Sequence, residues 1–238
     1  MELGYNFKFV YSNNVVEIYH YSRPIILGKV TNSEGKNNGG TGDKENIKST
    51  SIHRTRTKLS RIINSNEWNY FLTLTYATDN IESKDIQLFF RKMKRMYGQL
   101  KYVYVKELTK RGRLHYHILL NIDLGHIEDL RDFERWFGEN VWGHGFVKLK
   151  SIDQNKSIAG YLTKYLTKDL NIDGRVYNCS RGLNKPLEVC CFNEVDVWQV
   201  IANLNIEVSY VSSYNMKYEK QGAEINNKVE YIKGEIIK

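Results

Sequence analysis

Two histidines separated by one residue, His115 and His117, are the first place where this 238-residue sequence could do chemistry. They sit in Arg113 to Asn121 (RLHYHILLN), a run of strand-forming residues. Alternate side chains of a strand share a face. The two imidazoles therefore project together, about 6–7 Å apart along the chain, and Tyr116 projects the other way. Such a pair can chelate a metal, or can stand solvated on an open sheet. The preceding run KYVYVKEL (101–108) reads as a second strand, with Thr109 to Gly112 as the turn between them. A hairpin centred on Arg111 pairs Glu107 with His115 and Val105 with His117. Directly paired residues share a face, with Cβ atoms about 4.5–5.5 Å apart, so a carboxylate and two imidazoles would converge. A carboxylate in the set, with no nearby cysteine, favours Mg²⁺ or Mn²⁺ over a structural zinc. A one-residue slip of register would break the group and leave a simple Glu–His pair.

The second candidate is SIAGYLTKYLTKDL (157–170), in which Tyr-Leu-Thr-Lys occurs twice in succession. On a helix, Tyr161 and Tyr165 are neighbours on one face, about 6 Å apart along the axis, with Lys164 and Lys168 alongside. A phenol with a pKa near 10 is a weak nucleophile at neutral pH. A nearby ammonium or a metal-polarised substrate would make it useful. The same pattern also describes an amphipathic helix burying Ile158, Tyr161, Leu162, Tyr165 and Leu166.

These residues need a scaffold. WNYFLTLTY (68–76) alternates Tyr70, Leu72, Leu74 and Tyr76 against Phe71, Thr73 and Thr75, a strand with one apolar and one partly polar face. Ile86, Phe89, Phe90, Met93, Met96 and Tyr97 form one helical stripe, with Ser83 as N-cap and Gly98 as stop. Ile127, Leu130, Phe133 and Phe137 mark another helix, Gly145 to Lys150 a strand, and Ser157 to Asp169 a third helix. The order is β-α-β-β-α-β-α. Its first six elements match an α+β, ferredoxin-like βαββαβ core: an antiparallel sheet with both helices on one face. Around it we expect an N-terminal β extension over 1–32, with a turn at Asn13-Asn14. Further expectations are a flexible linker or loop over 33–50, the main domain over 51–190, and a C-terminal β-rich extension over 191–238. The linker expectation rests on four glycines and a near absence of apolar residues in SEGKNNGGTGDKENIKST.

Composition narrows the partner. Net charge is +8. Residues 51–120 hold 14 Lys+Arg and 5 Asp+Glu, a net of +9, so the excess lies in one segment. Basic residues interleaved with 17 tyrosines suit nucleic acid, although tyrosines suit sheet cores equally well. Arg54, Arg56, Lys58, Arg91, Lys94 and Arg113 are the candidate DNA contacts. Three cysteines, two of them adjacent, point to reduced thiols and exclude a disulfide scaffold. No apolar run is long enough to span a bilayer and no signal peptide is visible, so no membrane partner and a cytoplasmic location are expected. His126 and His144 lie outside the strand pair and read as structural or surface residues.

Taken together, FLTLTY, KRGRLHYHILL and YLTKYLTK, in that order, resemble rolling-circle replication initiators. These are the His-hydrophobe-His (HUH) endonucleases of phages and plasmids. The resemblance covers about residues 68–190 and includes SRGLNKP (180–186). The paired tyrosines are most similar to the two-tyrosine proteins of small single-stranded DNA phages. Tyr116 is bulkier and more polar than the usual aliphatic at the middle position. The resemblance implies a divalent metal, Mg²⁺ or Mn²⁺, on His115, His117 and Glu107, with Tyr161 or Tyr165 as nucleophile and Lys164 and Lys168 stabilising charge. It implies a nicking-joining activity on single-stranded or extruded origin DNA in a bacterial host cell, leaving a 5′-phosphotyrosine link and a 3′-OH for a host polymerase. No P-loop (GxxxxGK[ST]) is present, so a helicase would be a separate partner. The alternatives are a non-catalytic RNA-recognition-like binder stacking bases on Tyr102, Tyr104 and Phe71, and a relaxase or transposase with the same metal chemistry.

Overall fold

The computed structural model describes residues 4–26, 44–78, 82, 84–109, 112–152, 158–166, 176–220 and 223–237. The chain divides into two compact units, Gly42–Asn184 and the combination of Met1–Thr41 with Lys185–Lys238.

The first of these holds the βαββαβ core. Strand β3 (Tyr70–Tyr76) leads to α2 (Asp85–Tyr97), then β4 (Lys101–Leu108), β5 (Leu114–Asn121), α3 (Leu130–Phe137) with a five-residue π-turn (Gly138–Trp142), and β6 (Gly145–Ser151). All pair antiparallel in the order β6-β3-β5-β4, and a short strand β7 (Tyr177–Cys179) extends the β4 edge. This is the expected ferredoxin-like sheet. The alternation in β3 decides the layers. Leu72, Leu74 and Tyr76 turn to one face, where Ile86, Phe89, Phe90 and Met93 of α2 and Phe137 of α3 close a core. Phe71 turns to the other, with Val103, Val105 and Leu119.

That second face carries two helices, α1 (Lys44–Asn64) and α4 (Ile158–Thr163). Helix α1 corrects the linker expectation, because residues 44–50 are helical and only 33–43 of that segment lie outside the described residues. The glycines end at Gly42. The first two turns of the helix, KENIKSTS, are rich in straight-chain residues, which lose little rotamer freedom in a helix. Leu59 and Ile63 anchor it at 0% exposure, each contributing about 1.5–3 kcal/mol by burial. Helix α2 ends at Gly98, whose φ of 77° suits glycine. Its proposed cap, Ser83, lies outside the described residues. Asp85 instead accepts from the Glu82 backbone N–H at 3.2 Å and the Tyr76 hydroxyl at 3.1 Å. Helix α4 is shorter than the expected 157–169. Lys164 still bonds back four residues, but Tyr165 and Leu166 bond back only three, a tightened last turn.

The other unit is a single antiparallel sheet in the order β8-β1-β2-β10-β9. Its strands are β1 (Gly4–Ser12), β2 (Val15–Ile26), β8 (Leu187–Cys191), β9 (Ile206–Lys220) and β10 (Ala223–Ile236), with α5 (Val197–Asn203) packed on one face. Asn13, at φ 58°, makes the tight β1–β2 turn. The terminal segments, expected as two separate extensions, thus form one sheet in which β10 pairs with β2. The boundaries fall at 41/42 and 184/185, not at 50/51 and 190/191. Among the described residues no helix is long and apolar enough to cross a membrane. The cysteines Cys179, Cys190 and Cys191 are free thiols.

Candidate metal and nucleophile site

The β4–β5 hairpin has the register expected from its turn, with Glu107 opposite His115 and Val105 opposite His117. Gly112 closes that turn at φ 76°, its N–H donating to the Thr109 carbonyl at 2.8 Å. Odd-numbered residues of β5 therefore face α1 and α4. One ligand atom from each of Glu107, His115 and His117 lies within 4.8 Å of the others. Glu107 does not close on its direct neighbour. Its Oε2 lies 2.6 Å from Nε2 of His117, one residue pair along, while the two imidazole centroids stand 5.9 Å apart. Side chains lean along a strand, which brings the diagonal neighbour within reach. Sequence reasoning missed one positioning residue. Thr73, opposite His117 on β3, places its hydroxyl 3.3 Å from Nδ1. A partner on the second ring nitrogen fixes the imidazole and leaves Nε2 for a ligand. The signal was present in the alternation of FLTLTY, which puts Thr73 on the histidine face.

Burial is the leading influence on both imidazoles. It holds His117 below the usual histidine value, against the opposing pull of the Glu107 carboxylate, with His115 and Lys164 acting in the same direction as burial. It does the same to His115, again against Glu107, with Arg113 helping. Neutral imidazoles are the metal-binding form. Two neutral nitrogens and a carboxylate, with no thiolate, fit a borderline-to-hard divalent cation.

The tyrosines meet this group through rings. Tyr165 stacks on His117 at 3.5 Å between centroids and 16° between planes. Tyr161 lies edge-on to Phe71 at 4.8 Å and to Tyr165 at 5.9 Å. Lys164 Nζ sits 3.8 Å from the Tyr161 ring centre and 4.9 Å from that of Tyr165. Burial raises the Tyr165 hydroxyl above the usual tyrosine range, followed by its hydrogen bond with Tyr161 and the charge of Glu107. It is therefore protonated at rest and needs help to become a nucleophile.

The other candidate residues divide. Lys168 lies outside the described residues. Arg54 and Lys58 are exposed on α1, on the histidine side of the sheet, and Arg113 is exposed beside His115. Arg56 is only half exposed: its Nη2 donates to the Leu166 carbonyl, so it ties α1 to the end of the tyrosine segment. Arg91 and Lys94 belong to α2 and lie on the opposite face, so they do not join this site. SRGLNKP packs against the end of α1, where Asn66 and Asn184 exchange hydrogen bonds of 3.0 and 2.9 Å. The aromatics that an RNA-recognition-like binder would leave open are covered. Phe90 of α2 lies flat on Tyr102 at 3.6 Å, and Phe71 lies under Tyr161.

No curated protein and no solved structure matches the chain significantly. Residues 69–170 match the family model for the replication-associated protein ORF2, a span that runs from β3 through the histidine hairpin to both tyrosines, and this match supports a rolling-circle replication initiator.

Proposed function

We propose that the chain is a metal-dependent nicking-joining endonuclease of the HUH type that starts rolling-circle replication at a single-stranded or extruded origin. One observation carries the reading: two imidazoles and a carboxylate converge within 4.8 Å, and Tyr165 stacks directly on one of them. His115, His117 and Glu107 would hold one divalent cation, Mg²⁺ or Mn²⁺. When bound, that cation would supply Lewis-acid polarisation of the scissile phosphate. Thr73 keeps the His117 ring in its orientation. Tyr161 or Tyr165 attacks the phosphorus with its hydroxyl oxygen. Its proton passes to solvent, the P–O3′ bond breaks, and the departing oxygen takes up a proton as a free 3′-OH. The new bond is a 5′-phosphotyrosine ester. Its energy is close to that of the bond broken, so the 3′-OH of a strand can reverse the step. Lys164 lies over both rings and offsets the charge that develops on phenolate or phosphate. Host polymerase and helicase would act on the nicked product. A relaxase with three histidines fits less well, since among the described residues the group is two histidines and a carboxylate.

The deciding experiment is incubation with single-stranded origin DNA and Mn²⁺, followed by a denaturing gel. A covalent adduct that EDTA prevents supports the proposal; cleavage without any protein-linked end overturns it.

The exposed cations of α1 make a separate expectation. Arg54→Glu with Lys58→Glu should weaken single-strand binding and flatten its salt dependence by about 1.4 in log–log slope, at about 0.7 per phosphate contact. Arg56→Glu should instead lower the melting temperature, because Arg56 bonds Leu166. Binding measured across a salt series, with thermal melts alongside, checks both.

A further inference from the structure

We propose that a cleft between α2 and the β4–β7 edge holds one unstacked nucleotide of single-stranded DNA, on the sheet face away from the histidines. The inference rests on the reading that this chain handles DNA, but it concerns a second contact. The cleft has a volume of about 150 Å³, room for a single planar heterocycle and too little for a duplex. Its floor is aromatic. Tyr102 lies parallel to Phe90, with 7° between planes, and Tyr104 follows at 5.8 Å from Phe90. Its rim is cationic. Arg91 and Lys94 are exposed one turn apart on α2, and among the described residues neither is paired with a carboxylate. Its third wall is an amide. Asn178 of β7 hydrogen-bonds the Tyr104 hydroxyl and accepts the Cys179 N–H at 2.8 Å. A primary amide has two donors and two acceptor lone pairs, so one of each remains for the edge of a base. Gln87 of α2 brings a second amide to the same cleft.

Each wall selects one part of a nucleotide. A planar floor takes the base, amides take its polar edge, and the cationic rim takes the flanking phosphates. Bases inside a duplex cannot reach such a floor, so the ligand is a single strand. Two anchorages on opposite faces of one sheet would fix where the strand runs relative to the nick. This gives Arg91 and Lys94 a use that the metal site does not.

Photocrosslinking tests the proposal. A long single strand carrying 5-iododeoxyuridine at successive positions is irradiated with the full-length protein, and adducts are mapped by peptide mass. The expected result is an adduct on the peptide containing Tyr102 or Tyr104 from a limited set of positions. Arg91→Ala with Lys94→Ala changes only exposed side chains; circular dichroism confirms the fold. That variant should lose about tenfold of the adduct at physiological salt, and about 1.4 of the salt slope. Adducts confined to the histidine face, or an unchanged slope, overturn the proposal. A strand that crosslinks here yet is never cut refutes the nicking function alone. A strand that is cut without crosslinking here refutes this site alone.

Discussion

Replacing His115 or His117 with alanine should reduce single-strand cleavage roughly a thousandfold. Lewis-acid stabilisation is worth several kcal/mol, and each ~1.4 kcal/mol is a factor of ten. The two variants answer different objections. His117 is buried, and its loss leaves Glu107 without its 2.6 Å partner, so a fall in stability could accompany the loss of activity. His115 is half exposed and carries less packing, so its variant should fold normally and still fail. Calorimetric titration with Mn²⁺ gives a readout independent of catalysis. Wild type should bind one ion and either variant should bind far more weakly. Burial holds both imidazoles below their ordinary 6.5. Protons therefore compete for the site only in more acidic solution. Metal affinity should stay level from about pH 8 down to 6.5 and fall below that. A histidine double variant that cuts as wild type does would remove the metal centre from the mechanism.

The tyrosine pair should separate cutting from joining. Tyr161→Phe and Tyr165→Phe keep the ring contacts and delete only a hydroxyl. Each should retain some single-round cleavage of a short oligonucleotide, and the double variant none. The losses should be unequal. Tyr165 stacks directly on His117, whereas Tyr161 reaches that ring only through Phe71 and Tyr165, so Tyr165→Phe should cost about tenfold more. Either single variant should fail at strand joining, which needs one tyrosine already esterified and another free to cut. Peptide mass mapping of the adduct decides the matter. Modification of Tyr161 alone, with normal joining by Tyr165→Phe, would make Tyr165 a packing residue and a one-tyrosine transposase the better comparison.

The hairpin was legible because its turn is short: once Thr109 to Gly112 is the connection, the pairing of Glu107 with His115 follows by counting. What counting could not give is the direction in which a side chain leans, and Glu107 reaches diagonally to His117. The sheet order was legible because β3, β4, β5 and β6 each show an unbroken two-residue alternation with helices between. Helix α1 was not, since its apolar residues are sparse and its stability comes from Leu59 and Ile63 meeting a sheet that local sequence does not display. Nor was the union of the terminal strands. Pairing of Val15 with Glu235 depends on contacts across most of the chain, and no short-range signal marks it.

That union has a consequence for synthesis. Strands β1 and β2 leave the ribosome first, yet β2 gains its second neighbour, β10, only as translation ends. The unit Gly42–Asn184 is complete long before then and contains every residue of the proposed metal and nucleophile site. Domains emerging from a ribosome fold as units, and long-range strand pairing is slow. The nascent chain would therefore carry a finished nicking centre while its own first strands were still waiting for a partner.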